Sequence, residues 1–269
     1  MKNSAERIWP YKTLGVPTSP ALVLLHGFLG NNDDWAETAR LLSDSYFCIM
    51  PDLPGHGINT SRMPNAPISL IDFASELKSL INKLNLYNVN LLGYSMGGRL
   101  ALTFAIQFPK LVNTLILESA NPGIQESNLR RQRASEDAQR ANQINKIGLD
   151  KFIDTWYEIP LFESLSQHGE KFNELKAKRK HNDATWAIKT IAELSPGVQP
   201  ELWSSLNKVS MPTLFLAGQL DQKYTKLSAR ALGYNDLFKL VIIPNAGHNI
   251  HFEHPHEFFL QVIKFLNHN

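Results

Sequence analysis

Short apolar runs alternate with stretches of helical spacing along the first half of the chain. Ala21-Leu22-Val23-Leu24-Leu25, Tyr46-Phe47-Cys48-Ile49-Met50, Val89-Asn90-Leu91-Leu92 and Val112 to Leu117 are the runs. Each is bounded by turn residues, the pattern of strands covered on both faces. Ile8 to Leu14 reads as an edge strand, the one strand context in which Pro10 is tolerated. Between the runs, Leu70, Phe73, Leu77, Leu80, Ile81 and Leu84 recur near every 3.6 residues and predict a helix over 70–84. Asn31 to Asp34 offers N-cap residues to a helix carrying Trp35 and Leu41. A further helix from Gly97 to Phe108 is stopped by Pro109. Strands alternating with helices predict an α/β protein whose mostly parallel sheet is flanked by helices and joined by right-handed crossovers.

The pattern changes at Ser119. From Asn121 to about Trp203 no apolar strand run occurs, and the stretch is polar, helical and rich in Arg and Lys. The strand pattern resumes at Pro212 to Ala217 and Lys239 to Ile243, and a last helix runs from about Pro255 to Leu266. The expected organisation is a core built from residues 1–120 and 204–269, with residues 121–203 inserted as a helical cap. Such a cap sits over the carboxyl ends of the strands, where sheets of this kind bind ligands.

Composition narrows the class. The chain has 269 residues and a formal net charge of +2, so no basic excess points to nucleic acid. Cys48 is the only cysteine, which excludes an internal disulfide and suits a reducing compartment. Met1 to Lys12 lacks the apolar core of a signal peptide, and no apolar run approaches the roughly 20 residues that cross a bilayer. A cytoplasmic protein without membrane attachment is expected.

The candidate chemistry centres on Gly93-Tyr94-Ser95-Met96-Gly97, which fits G-x-S-x-G between a predicted strand and a predicted helix. A sharp turn there lifts the Ser95 hydroxyl above the sheet edge, and the helix that follows aims free N–H groups at it. Asp221 follows the run ending at Ala217, and His248 follows the last strand. The order Ser, Asp, His is that of the α/β-hydrolase triad. His248 would take the Ser95 proton and Asp221 would orient the imidazole. The expected oxyanion donors are the backbone N–H groups of Met96 and Phe28. Glu118 also ends a strand and is the alternative acid. His26, His56 and Asp52 read as turn-shaping residues. His248, His251, His254 and His256 lack the Cys or Glu partners of a zinc signature, so no metal is expected.

Several stretches carry a narrower resemblance. Leu25 to Gly30, Pro51 to Gly57 and Gly93 to Arg99 match small, cap-bearing α/β-hydrolases widely. The cap stretches are more particular: Asn121-Pro122-Gly123-Ile124-Gln125, Arg130 to Arg133, Trp156 to Phe162, and Gly197 to Trp203, together with Ala246-Gly247-His248-Asn249. In these the whole chain resembles the 2-succinyl-6-hydroxy-2,4-cyclohexadiene-1-carboxylate synthases of menaquinone (vitamin K2) biosynthesis. That resemblance implies a lyase that releases pyruvate from a cyclohexene tricarboxylate without a cofactor. It implies Arg99, Arg133 and Arg179 as substrate-binding residues, with Tyr94 and Trp156 lining the pocket. Three carboxylates suit arginines, whose planar fork binds carboxylate bidentately. Arg130, Arg131 and Lys180 read as a solvated face. A serine carboxylesterase or carbon–carbon bond hydrolase with the same triad is the alternative, although such pockets are normally apolar.

Overall fold

Period-two alternation within each apolar run decides how the sheet is covered. The computed structural model describes residues 8–60 and 65–269. Its strands are β1 (Tyr11–Leu14), β2 (Ala21–Leu25), β3 (Phe47–Pro51), β4 (Val89–Tyr94), β5 (Val112–Glu118), β6 (Thr213–Gly218) and β7 (Phe238–Ile243). They form one seven-stranded sheet in the order β1-β3-β2-β4-β5-β6-β7. The edge strand β1 runs antiparallel to β3, and the other neighbours are parallel. The helices are α1 (Ala36–Leu42), α2 (Leu70–Lys83), α3 (Met96–Gln107), α4 (Ser127–Ile147), α5 (Leu149–Trp156), α6 (Gly169–Arg179), α7 (Ala184–Glu193), α8 (Gln222–Ala231), α9 (Ile250–Glu253) and α10 (Pro255–Asn267).

Val23, Leu25, Ile49 and Leu91 point to the face covered by α2 and α3, where Phe73, Leu77, Leu100 and Phe104 meet them. Their neighbours Leu22, Leu24, Cys48 and Leu92 point to the opposite face, against Trp35, Ala39, Phe258 and Val262 around α1 and α10. Each fully buried Leu contributes about 1.5–3 kcal/mol through lost contact with water, so the two faces together fix the register. Every residue of β4 is buried, as a central parallel strand requires. Burial also pushes the Cys48 thiol up to about 12, making it an apolar filler rather than a nucleophile.

All four helices between β5 and β6 pack round a cluster of their own. Ala141, Ile144, Phe152, Phe172, Leu175 and Ile191 share it with Leu29 from the loop after β2. Trp186 of α7 instead joins the main core. Its indole N–H donates to the Thr60 carbonyl at 3.2 Å, and its ring lies against Gly55, where a Cβ would come within 2.4 Å.

The expected elements appear with small shifts. The strand placed over Ile8 to Leu14 begins only at Tyr11. Trp9 leaves the sheet because its ring is fully buried in the main core and its N–H donates to Glu76 at 2.7 Å. The helix expected to carry Trp35 and Leu41 is split into a 3₁₀ turn over Asn32–Trp35 and α1. Positions 1–7, part of the Met1 to Lys12 stretch considered above, lie outside the described residues. Among the described residues no helix is long and apolar enough to cross a membrane.

Candidate active site

Ser95 occupies a conformation that side chains rarely adopt, with φ 51° and ψ −107° between β4 and α3. Holding a non-glycine residue there costs of order 1–3 kcal/mol. The turn closes because its neighbours are glycines. A Cβ at Gly93 would lie 2.4 Å from the Gly97 carbonyl, and one at Gly97 would lie 2.3 Å from the Leu25 carbonyl. The Ser95 N–H donates to the Glu118 carbonyl at 2.9 Å, tying the turn to β5.

The loops after β6 and β7 bring Asp221 and His248 to this turn. His248 Nε2 lies 3.1 Å from Ser95 Oγ, and His248 Nδ1 lies 2.6 Å from Asp221 Oδ2. With the proton on Nδ1, the imidazole donates to the carboxylate and accepts from the Ser95 hydroxyl. The other Asp221 oxygen accepts the Tyr224 N–H at 3.2 Å, so Asp221 also caps α8 and is anchored twice. Tyr224 packs on the imidazole with centroids 4.5 Å apart, and Tyr94 does so at 5.4 Å. Glu118, the alternative acid, spends both oxygens on His251: on its N–H at 3.0 Å and its Nδ1 at 2.7 Å. His251 stacks on Trp35 instead of turning to the serine. His254 Nε2 contacts the Asn245 carbonyl, and His256 lies beside Phe259. The four histidines therefore face different surroundings.

Phe28 and Met96 both line the cleft above Ser95. Neither backbone N–H has an acceptor among the described residues. Met96 is the first residue of α3, where N–H groups lack intrahelical partners. His26 and Asp52 hold the adjoining loops. His26 Nε2 accepts the Leu53 N–H at 3.0 Å, and Asp52 accepts the N–H groups of Asn32 and Ile58.

All three expected arginines line this cleft, with different charge balances. Arg99 is one turn past Ser95 and donates to the Leu194 carbonyl at 2.7 Å. No carboxylate pairs with it among the described residues. Burial, with a contribution from Arg133, lowers its pKa to about 10. Arg133 of α4 donates to Asp137 at 2.7 Å, and Asp137 is shared with Arg140. Arg179 is the most fully paired of the three. Its two terminal nitrogens donate to the two Asp34 oxygens at 2.7 and 2.8 Å, and its Nε donates to the Tyr157 hydroxyl at 3.2 Å. Burial opposes the charge on both partners, but their attraction outweighs it. Arg179 is raised above and Asp34 lowered below the usual value. The fork expected to bind substrate carboxylate is already filled by a protein carboxylate. Arg179 thus lines the cleft with its charge balanced by Asp34.

Trp156 and Tyr94 lie in the lining, Trp156 with its ring edge-on to Phe28. Arg130 donates to the Val198 and Gln199 carbonyls, and Arg131 is exposed. Asp34, Tyr157, Lys223 and Tyr224 also line the cleft without having been singled out from sequence. Asp34 had a visible signal, but only as a helix cap, a role it also fills through the Asn31 N–H at 3.4 Å. Lys223 and Tyr224 carried a positional signal, two and three residues beyond Asp221.

The α/β-hydrolase fold family matches residues 20–255. A Bacillus subtilis (strain 168) protein, provisionally named 2-succinyl-6-hydroxy-2,4-cyclohexadiene-1-carboxylate synthase, is 34% identical over 253 residues, 94% of this chain and 92% of that one. The Escherichia coli O1:K1 protein of that name is 33% identical over 244 residues, covering 90% and 91%. Among solved structures, MenH from S. aureus superposes with a TM-score of 0.91 at 32% identity, over 96% of this chain and 98% of that one.

Proposed function

The chain belongs to the α/β-hydrolase fold family and, within it, to the 2-succinyl-6-hydroxy-2,4-cyclohexadiene-1-carboxylate synthases; from that premise we propose that it is a carbon–oxygen lyase, which eliminates pyruvate from 2-succinyl-5-enolpyruvyl-6-hydroxy-3-cyclohexene-1-carboxylate in menaquinone biosynthesis. The observation that carries this reading is a serine–histidine–aspartate relay opening onto a cleft in which, among the described residues, no carboxylate neutralises Arg99. A hydrolase of neutral esters has no use for that charge. A tricarboxylate does.

In the proposed reaction Ser95 passes its proton to His248 Nε2, and the alkoxide removes a proton from the ring carbon beside the succinyl ketone. Asp221 stabilises the imidazolium so formed. The electron pair moves into the ketone, and the resulting dienolate oxygen is held by the Met96 and Phe28 N–H groups. Collapse of the dienolate breaks the ring carbon–oxygen bond and expels enolpyruvate. A proton returned to its terminal carbon gives pyruvate, and the ring keeps the new double bond. Ser95 acts as a base, so no acyl-enzyme forms and no cofactor is called for. The substrate is a water-soluble anion, which suits a cytoplasmic enzyme.

The test is to generate the cyclohexene tricarboxylate enzymatically, add the protein, and follow pyruvate by its reduction with lactate dehydrogenase. Stoichiometric pyruvate, with only slow turnover of an aryl ester, is the expected result. Rapid ester hydrolysis with an initial burst and no pyruvate would assign the triad to acyl transfer instead.

A further inference from the structure

Lys223 is the second residue of α8, two positions beyond Asp221, and lines the same cleft as Ser95. No carboxylate pairs with it among the described residues. Its ammonium lies 5.9 Å from the Tyr224 ring centroid. Partial burial and then the charge of Arg133 push its pKa below the usual lysine value, while Asp221 and Glu136 pull the other way. Two different elements, α4 and α8, thus bring cations to one stretch of the cleft wall. The acids nearby are already engaged. Asp137 is shared by Arg133 and Arg140, Asp221 holds His248 and the Tyr224 N–H, and Glu136 accepts from Gln132 and lies 4.0 Å from Arg140.

Like charges facing one cleft destabilise one another unless an anion comes between them. The tricarboxylate brings three, while both terminal nitrogens of Arg179 are held by Asp34 and Arg133 gives Asp137 only its Nε. Arg99 is one helical turn from Ser95, so it serves the ring, whose reacting carbon must sit at the serine oxygen. Lys223 and Arg133 come from α8 and α4, not from the helix that follows the serine, and are left to take another carboxylate. A lysine suits that position, because a point charge on a flexible stem follows the end of a flexible chain where a rigid fork does not.

We propose that Lys223 is a substrate-binding residue, which with Arg133 holds the terminal carboxylate of the substrate's acyl side chain. Only the identity of that carboxylate rests on the lyase reading above; the cation cluster does not depend on it.

The experiment has two arms. In steady-state pyruvate release, Lys223→Gln should raise KM about tenfold, a modest charge-assisted contact, with kcat within about twofold and the acidic limb of the kcat profile unmoved. Lys223→Arg should recover most of the loss. The second arm needs no turnover. In a Ser95→Ala background, calorimetric binding of glutarate should weaken several-fold on adding Lys223→Gln and should lose part of its salt dependence. Unchanged KM and unchanged glutarate affinity would overturn the proposal. So would a fall in kcat with a displaced acidic limb, which would mean that Lys223 acts through Asp221. If the wild-type protein released no pyruvate while the glutarate arm still depended on Lys223, the lyase reading would fall and the anion subsite would stand.

Discussion

Arg99 and Arg179 present the same group to one cleft and differ only in what already holds them. Arg99 reaches a carbonyl, so its charge is left for a ligand. Arg99→Ala should therefore lower kcat/KM by about 2–4 kcal/mol of transition-state stabilisation, and Arg99→Lys should restore only part, since an ammonium does not replace a fork. Arg179 is committed to Asp34, with side-chain exposures of 4% and 10%. Its removal leaves a buried carboxylate unpaired, which costs roughly 3–5 kcal/mol. Arg179→Ala should thus lower the urea midpoint, and the double variant with Asp34→Ala should regain part of the loss. An unchanged midpoint for Arg179→Ala would show that the pair carries no stability. Sequence could not separate the two arginines. It displays residue types, and the partner that neutralises Arg179 lies 145 positions away in the chain.

Among the elements, the strands and the turn at Ser95 were readable because their signals are local. Gly93 and Gly97 stand where a Cβ would strike backbone, and each apolar run splits cleanly between two faces. The start of β1 was not readable, since Trp9 is apolar like a strand residue yet leaves the sheet for a partner 67 positions away. The split between the two buried acids was only half readable: Asp221 and Glu118 both end near a strand tip, and only the fold shows which histidine each meets. Ser95→Ala, Asp221→Ala and His248→Ala should each remove most turnover, with double variants little worse than single ones because the three act as a unit. Glu118→Gln should instead leave kcat within a few-fold and lower stability, because it breaks the buried contact to His251. Near-normal turnover in Asp221→Ala with loss in Glu118→Gln would reverse the two roles.

On the scale of the whole molecule, the four helices between β5 and β6 meet the rest of the chain through the loops that also shape the cleft. Leu29, Trp186 and the Arg179–Asp34 pair all cross that boundary. The polar composition of 121–203 leads to the expectation of a helical insertion. It could not foreshadow the crossing contacts, which depend on how the two parts dock. His26 and His56 lie beneath this boundary with ring centroids 5.2 Å apart, both almost fully buried. Burial lowers the pKa of His26 and brings that of His56 to about 3, with the neighbouring ring and Arg179 adding to the effect on His56. A histidine depressed in this way is neutral in both folded and unfolded chains above pH ~6.5 and gives no slope there. Below that pH the unfolded chain takes up a proton that the folded one refuses, so stability must fall as acid is added. For His56 the fall continues to about pH 3, at about 1.4 kcal/mol per pH unit once the unfolded histidine is fully protonated. The Asp34 carboxylate, held below its usual value against burial by Arg179, adds a loss in the same direction nearer pH 4 and below. Urea unfolding should therefore give a flat stability between pH 7 and 8 and a steepening decline from pH 6 to 4. His56→Gln should shrink that slope even if it also lowers stability at pH 7. A slope unchanged by the substitution would show that His56 takes up its proton within the folded protein.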